Sequence, residues 1–284
     1  MDWLLTPFSF PFFVRGMAAA IIVGAICGAL GPFIIVRRFA YIGQGLSQSV
    51  LGGVGVGLVF GAGLYPSAIA ATALGAWLID RLGKREGLYS DTAIGIVSTG
   101  MFALGVAVIS ANRSRSLNIS NVLFGNILGV STTDLMIVLA VALCAGTALA
   151  VGYKPLLFTT QDIQVARAHG IDVRRMEFLF NALVAAVIIT ALQVLGVLLI
   201  TAVLLIPAAT ARTVLRSFGA IVVGSIAIGV MTSIIGLYAS FYIDIASGPS
   251  IVLTGLGVFV LTLMATSLRQ RLATRTNRRA TPAT

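Results

Sequence analysis

Few side chains in this sequence can do chemistry, and their types narrow what that chemistry is. Gln44 and Gln48 stand four apart, so they share one face of any helix that carries them. Their amides cost free energy inside a membrane unless they line a cavity or hydrogen-bond. Residues 162–170 read D-I-Q-V-A-R-A-H-G. Asp162 is a fair N-cap and Gly170 a fair C-terminal stop. A two-turn helix is expected between them, with the small residues Ala166 and Ala168 permitting close approach by a docking partner. An ordinary amphipathic loop helix is the plainer reading. His169, the single histidine, falls in this stretch, where an isolated exposed imidazole makes a poor metal ligand. Asp91 follows Ser90, and Asp134 follows Ser131, Thr132 and Thr133; both read as acids that cap a helix start or face its dipole. Cys27 and Cys144 lie inside apolar runs and read as packing residues. No Cys/His cluster has zinc spacing. No nucleophile–base pair or carboxylate pair is visible, so covalent catalysis by this chain is not expected.

The elements that must position these residues follow from composition. The chain has 284 residues, 58% hydrophobic and only 10% charged, against about 25% charged in soluble proteins. The charges cluster, and long apolar runs between them read as membrane-spanning helices. The expected spans are roughly 14–36, 42–62, 65–82, 91–110, 134–152, 177–194, 195–211, 218–240 and 249–268, an all-α polytopic integral membrane protein of about nine transmembrane helices. The net charge of +10 does not point to nucleic acid, because the basic residues sit in short segments between apolar runs. They fix orientation instead. With the N-terminus outside and the C-terminus in the cytoplasm, sixteen of the nineteen basic residues fall inside, and only Arg15, Arg113 and Arg115 outside. Reading 177–211 as one span instead of two would destroy that bias, so two are expected, with Gly196 and Pro207 as candidate breaks. Residues 111–133 form a longer outside connection with a structured stretch, and about 155–176 a longer inside one. Residues 1–270 make a single transmembrane domain, and 271–284 a basic cytoplasmic tail expected to be disordered. Small residues at Gly53, Gly57 and Gly61 favour close helix packing.

Several words then combine into a family resemblance. Residues 162–170 are similar to the cytoplasmic coupling loop of the permease subunits of zinc, manganese and iron ABC importers, roughly D-P-E-x-A-x-A-x-G. Asp162, Ala166, Ala168 and Gly170 match; Ile163 and Gln164 depart. S-D-T-A-I-G-I at 90–96, L-F-G-N-I-L at 123–128, the run from Val197 to Arg212, and Tyr242, Asp244, Ser247 and Gly248 also resemble that family. The likeness covers about residues 14 to 270. It implies the ABC importer permease fold in the cell inner (cytoplasmic) membrane, a homodimer moving substrate by alternating access. It also implies a separate ABC ATPase subunit carrying ATP and Mg, and an extracytoplasmic solute-binding protein that delivers the metal. This chain has no G-x-x-x-x-G-K-[ST] loop of its own; it is expected to bind no cofactor and to hydrolyse nothing. One departure bears on substrate. Where the family has D-A-L-S-H-S-V-L-P-G, with the acid and histidine as metal ligands, this chain reads Q-G-L-S-Q-S-V-L-G-G over 44–53. Three readings of Gln44 and Gln48 stay open: a weakly bound, partly hydrated ion; a substrate such as a chelate; or amides that only hydrogen-bond between helices. Asp244 could meet an entering cation or the binding protein, or be a loop acid. Two other functions remain in view: a permease for haem, a siderophore or a cobalamin-like chelate, and an ATP-independent secondary transporter.

Overall fold

A computed structural model describes residues 6–37, 40–61, 64–83, 90–111 and 123–280. Arg38, Lys84, Arg85, Arg113 and Arg115, which enter the charge argument above, lie outside the described residues. The described chain is helical, with α1 Pro11–Val36, α2 Ala40–Phe60, α3 Leu64–Gly83, α4 Ser90–Ala111 and α5 Thr132–Val151. Then come two short helices, α6 Tyr153–Gln161 and α7 Ile163–Ala168, followed by α8 Val173–Leu195, α9 Ile200–Val214, α10 Phe218–Ile243 and α11 Ser247–Ala280. A helix thus occupies each stretch read as a span. Six of them, in α1, α4, α5, α8, α10 and α11, are long and apolar enough by length and composition to cross a membrane.

The core is organised around α1, the most buried of the six. It packs on α10, α9 and α5, while α2, α3 and α4 form a second group of three, and α8 touches both groups. Glycines set the closest approaches. Gly24 of α1 meets Gly229 of α10, and Gly28 meets Ser225 and Ile226, so the two helices run antiparallel with backbones in contact. In the second group Gly52 and Gly55 of α2 abut Met101 and Gly105 of α4, and Gly53 abuts Ser67 and Ala71 of α3. Small residues at these places let dispersion act between whole backbones where no water is present to drive burial.

These pairings fix the direction of each helix. One end of the molecule holds Phe13, ringed by Phe8, Tyr238 and Phe241. The other holds Phe33, ringed by Tyr153, Phe180 and Phe218. α1 runs from the Phe13 end to the Phe33 end, and α10 returns. α8 begins at the Phe33 end, through Phe180, and finishes where Leu195 meets Gly125. The chain then reverses at Gly196, whose φ of 79° is open to glycine and costly for other residues. Gly125, also left-handed, is pressed against Val194, Leu195 and Gly196, and Leu198 N–H donates to the Leu123 carbonyl at 3.3 Å. The expected break at Gly196 is therefore a true reversal.

One expectation fails. Pro207 does not break the chain; it lies buried inside α9. Its neighbour Ala208 packs on Gly31 of α1, and such support holds a helix through a proline that would end one in water. α11 runs on to Ala280. The stretch Leu268 to Ala280 contains neither glycine nor proline, and its Arg, Leu, Ala and Gln residues are good helix formers.

Candidate coupling and pathway sites

Two places hold the sequence-selected residues other than Asp244, and both are built from helix ends. The first is α7. Asp162 leaves the helical region at φ −151°, which ends α6, and its carboxylate Oδ1 accepts from Gln164 N–H at 2.7 Å and Val165 N–H at 3.2 Å. At the other end Gly170 adopts φ 72°, with its N–H donating to the Arg167 carbonyl at 3.0 Å and the Ile171 N–H to the Ala166 carbonyl at 3.1 Å. This paired closure satisfies the last carbonyls of the helix. A helix of six residues would not hold alone; here both ends are locked. His169 is exposed, donates from Nδ1 to the Val165 carbonyl at 2.9 Å, and stacks on Phe158 at 5.3 Å.

The two alanines part company. Ala168 is exposed and free to meet a partner, as are Ile163 and Val165. Ala166 is 0% exposed, because its face of α7 seats the helix on α6 and α8. Its small size serves packing inside this chain, which corrects the expectation that it lies on a docking surface. Ala166→Leu is therefore expected to destabilise the protein by about 1–3 kcal/mol through overpacking, while Ala168→Leu leaves the thermal midpoint unchanged. Melting curves of the purified variants in detergent check both.

Arg37, counted in the sequence only for its charge, anchors this platform. At the end of α1 its Nε donates to Thr160 Oγ1 at 2.9 Å and its Nη2 to Thr159 Oγ1 at 3.0 Å, both on α6. Its Cζ lies 4.3 Å over the Phe180 ring of α8. Burial lowers the Arg37 pKa from its ordinary value, and the Glu177 carboxylate opposes that shift.

The second place is α2. Gln44 is exposed and Gln48 half-buried, one turn apart near the Phe33 end of the helix. Asp244 is elsewhere. It ends α10 in the left-handed region at φ 57°, exposed, at the Phe13 end. An aspartate tolerates that conformation better than most residues, so its local work is to close the helix. The structure does not bring Asp244 together with Gln44 and Gln48. Among the described residues no group of three His, Cys, Asp or Glu side chains could hold a metal ion. Asp134 is a capping acid, as expected: its Oδ2 accepts from Ser131 Oγ at 2.6 Å, and Ser131 Oγ accepts from the Asp134 N–H at 3.1 Å. Of Asp91 only the backbone, at the start of α4, is described.

The same architecture occurs in proteins of known type. Residues 9–266 match the ABC 3 transport family. The manganese transport system membrane protein MntC of Halalkalibacterium halodurans is 36% identical over 253 residues, covering 89% of this chain and 87% of that one. The chelated iron transport system membrane protein YfeC of Yersinia pestis is 33% identical over 287 residues, covering 97% and 96%. Among solved structures, PsaBC from Streptococcus pneumoniae in complex with Fab superposes with a TM-score of 0.85 at 34% identity, covering 92% of this chain and 94% of that chain. A structure described as an inward-facing conformation of a "putative metal-chelate type ABC transporter" shares the fold, with a TM-score of 0.70 at 16% identity, covering 89% of this chain and 86% of that chain. By length, sequence and fold, this multi-pass membrane chain belongs to the ABC 3 transport family.

Proposed function

We propose that this chain is the permease subunit of an ABC importer for a divalent metal ion, manganese or iron. The observation that carries the reading is α7: a short helix locked at both ends, its outward face exposed, seated at the end of the molecule opposite the N-terminus. That is the geometry a separate ATPase needs in order to push on a membrane domain. In this reading nine helices cross the membrane, the N-terminus lies outside, and α7 and the basic C-terminus face the cytoplasm. Two copies line the pathway, an extracytoplasmic protein delivers the ion, and ATP binding to partner subunits rocks the dimer between outward-open and inward-open states. Relatives that bear manganese and iron in their names support the substrate class.

The test is uptake of Mn2+ into proteoliposomes holding this chain and its ATPase subunit, with ATP inside or outside the vesicle. Uptake is expected only when ATP reaches the ATPase. Full-speed uptake without nucleotide would instead make the chain a secondary transporter. A second reading has a specific observation behind it: Gln44 and Gln48 are neutral amides, better suited to hydrogen-bonding a complexed ion than to stripping a bare one. Competition of Mn2+ uptake by an iron chelate, in the same vesicles, would favour that reading.

A further inference from the structure

Arg37 stands between the two candidate sites. Thr159 and Thr160, which its guanidinium grips, lie three and two residues before Asp162, the cap of α7. On its other side Arg37 ends α1, and α2 begins at Ala40, one turn before Gln44. Arg37 thus links α6, which leads into α7, to the end of α1, alongside the packing of α8 on both α7 and α2.

The choice of residue is informative. A half-buried cation costs desolvation, offset here by the nearby Glu177 carboxylate, the two hydroxyls and the Phe180 ring. Both hydroxyls are also committed to their own helix, Thr159 Oγ1 donating to the Pro155 and Leu156 carbonyls and Thr160 Oγ1 to the Leu156 carbonyl, so α6 does not need the arginine to satisfy them. What a guanidinium supplies is a rigid planar fork that grips two acceptors at fixed spacing and lies flat on an aromatic ring. Thr159 and Thr160 take the fork, and Phe180 takes the flat face. A positive charge that served only to orient α1 in the membrane would need none of these contacts.

We propose that Arg37 is a positioning residue for transport: it transmits displacement of α7, through Thr159 and Thr160, to the end of α1, the helix that α2 with its Gln44 and Gln48 follows in the chain. The proposal rests on the reading of this chain as an ATP-driven permease. It separates fork from charge, because Arg37→Lys keeps the charge and loses the two-pronged grip.

The test uses the assembled complex in proteoliposomes, with Mn2+ uptake and ATP hydrolysis measured together. Arg37→Lys is expected to hydrolyse ATP near the wild-type rate while moving about 10-fold fewer ions per ATP. The Thr159→Val, Thr160→Val double variant, nearly unchanged in shape, is expected to show the same loss. Combining all three substitutions should lower the ratio no further, since they remove one connection. Wild-type ions per ATP in both Arg37→Lys and the threonine pair overturn the proposal and leave the permease reading standing. If Arg37→Lys fails to assemble, the threonine pair decides alone. Absence of ATP-dependent uptake by the wild-type complex overturns the permease reading, and this proposal with it.

Discussion

A Gln44→Asp, Gln48→His double variant is expected to retain Mn2+ through purification and to release it slowly. Residues four apart on a helix have Cβ atoms about 5–6 Å from each other, close enough for both side chains to reach one ion. In the native chain those side chains are neutral amides, one exposed and one half-buried. A carboxylate and an imidazole are the ligand types that manganese, iron and zinc favour. Even partners one shell removed from a metal change its affinity by about 10- to 100-fold, so direct ligands at both positions should tighten binding by at least about 10-fold. Metal content of the purified protein and a titration with Mn2+ measure the gain. The pair should also alter which of manganese, iron and zinc competes best for uptake. No change in retention or in competition would mean that Gln44 and Gln48 do not face the ion. The expected cost is speed, because a tightly held ion leaves slowly.

Gly28→Leu is expected to leave almost no folded protein. A Cβ at position 28 would lie 2.6 Å from the Ser225 carbonyl oxygen and 2.9 Å from Ile226 Cα, both backbone atoms of α10. Backbone cannot swing aside as a flexible side chain can, so α1 and α10 must separate. That undoes neighbouring contacts at Gly24 and Gly229, and the loss should exceed about 3 kcal/mol, the upper part of the usual overpacking range. Gly28→Ala should already lower the thermal midpoint. Gly146→Ala and Gly257→Ala, where nothing lies within 4 Å of the added methyl, serve as controls and should be neutral or slightly stabilising. Monodisperse yield in detergent and melting temperature separate these outcomes.

What could be read before the structure was local. Asp162 and Gly170 announce the ends of α7 because capping depends on atoms two to five residues apart. The capping role of Asp134 is legible for the same reason. The long helices are legible because an apolar run has few other fates in this composition. The work of Arg37 was hidden because its partners lie 122 and 123 residues away, and in sequence it is one more arginine beside an apolar run. Ala166 and Ala168 look alike in sequence, yet only the seating of α7 decides which one faces inward. Pro207 was misjudged because the support that carries a helix past a proline comes from another helix, here at Gly31.

The contact between Gly125 and Gly196 has an evolutionary corollary. Each occupies the room that the other's side chain would need, and both sit at positive φ. A mutation at one cannot be rescued by a smaller neighbour, because no smaller residue exists. A side chain at either position would force both segments apart, so neither glycine can be replaced without rebuilding the other's segment as well.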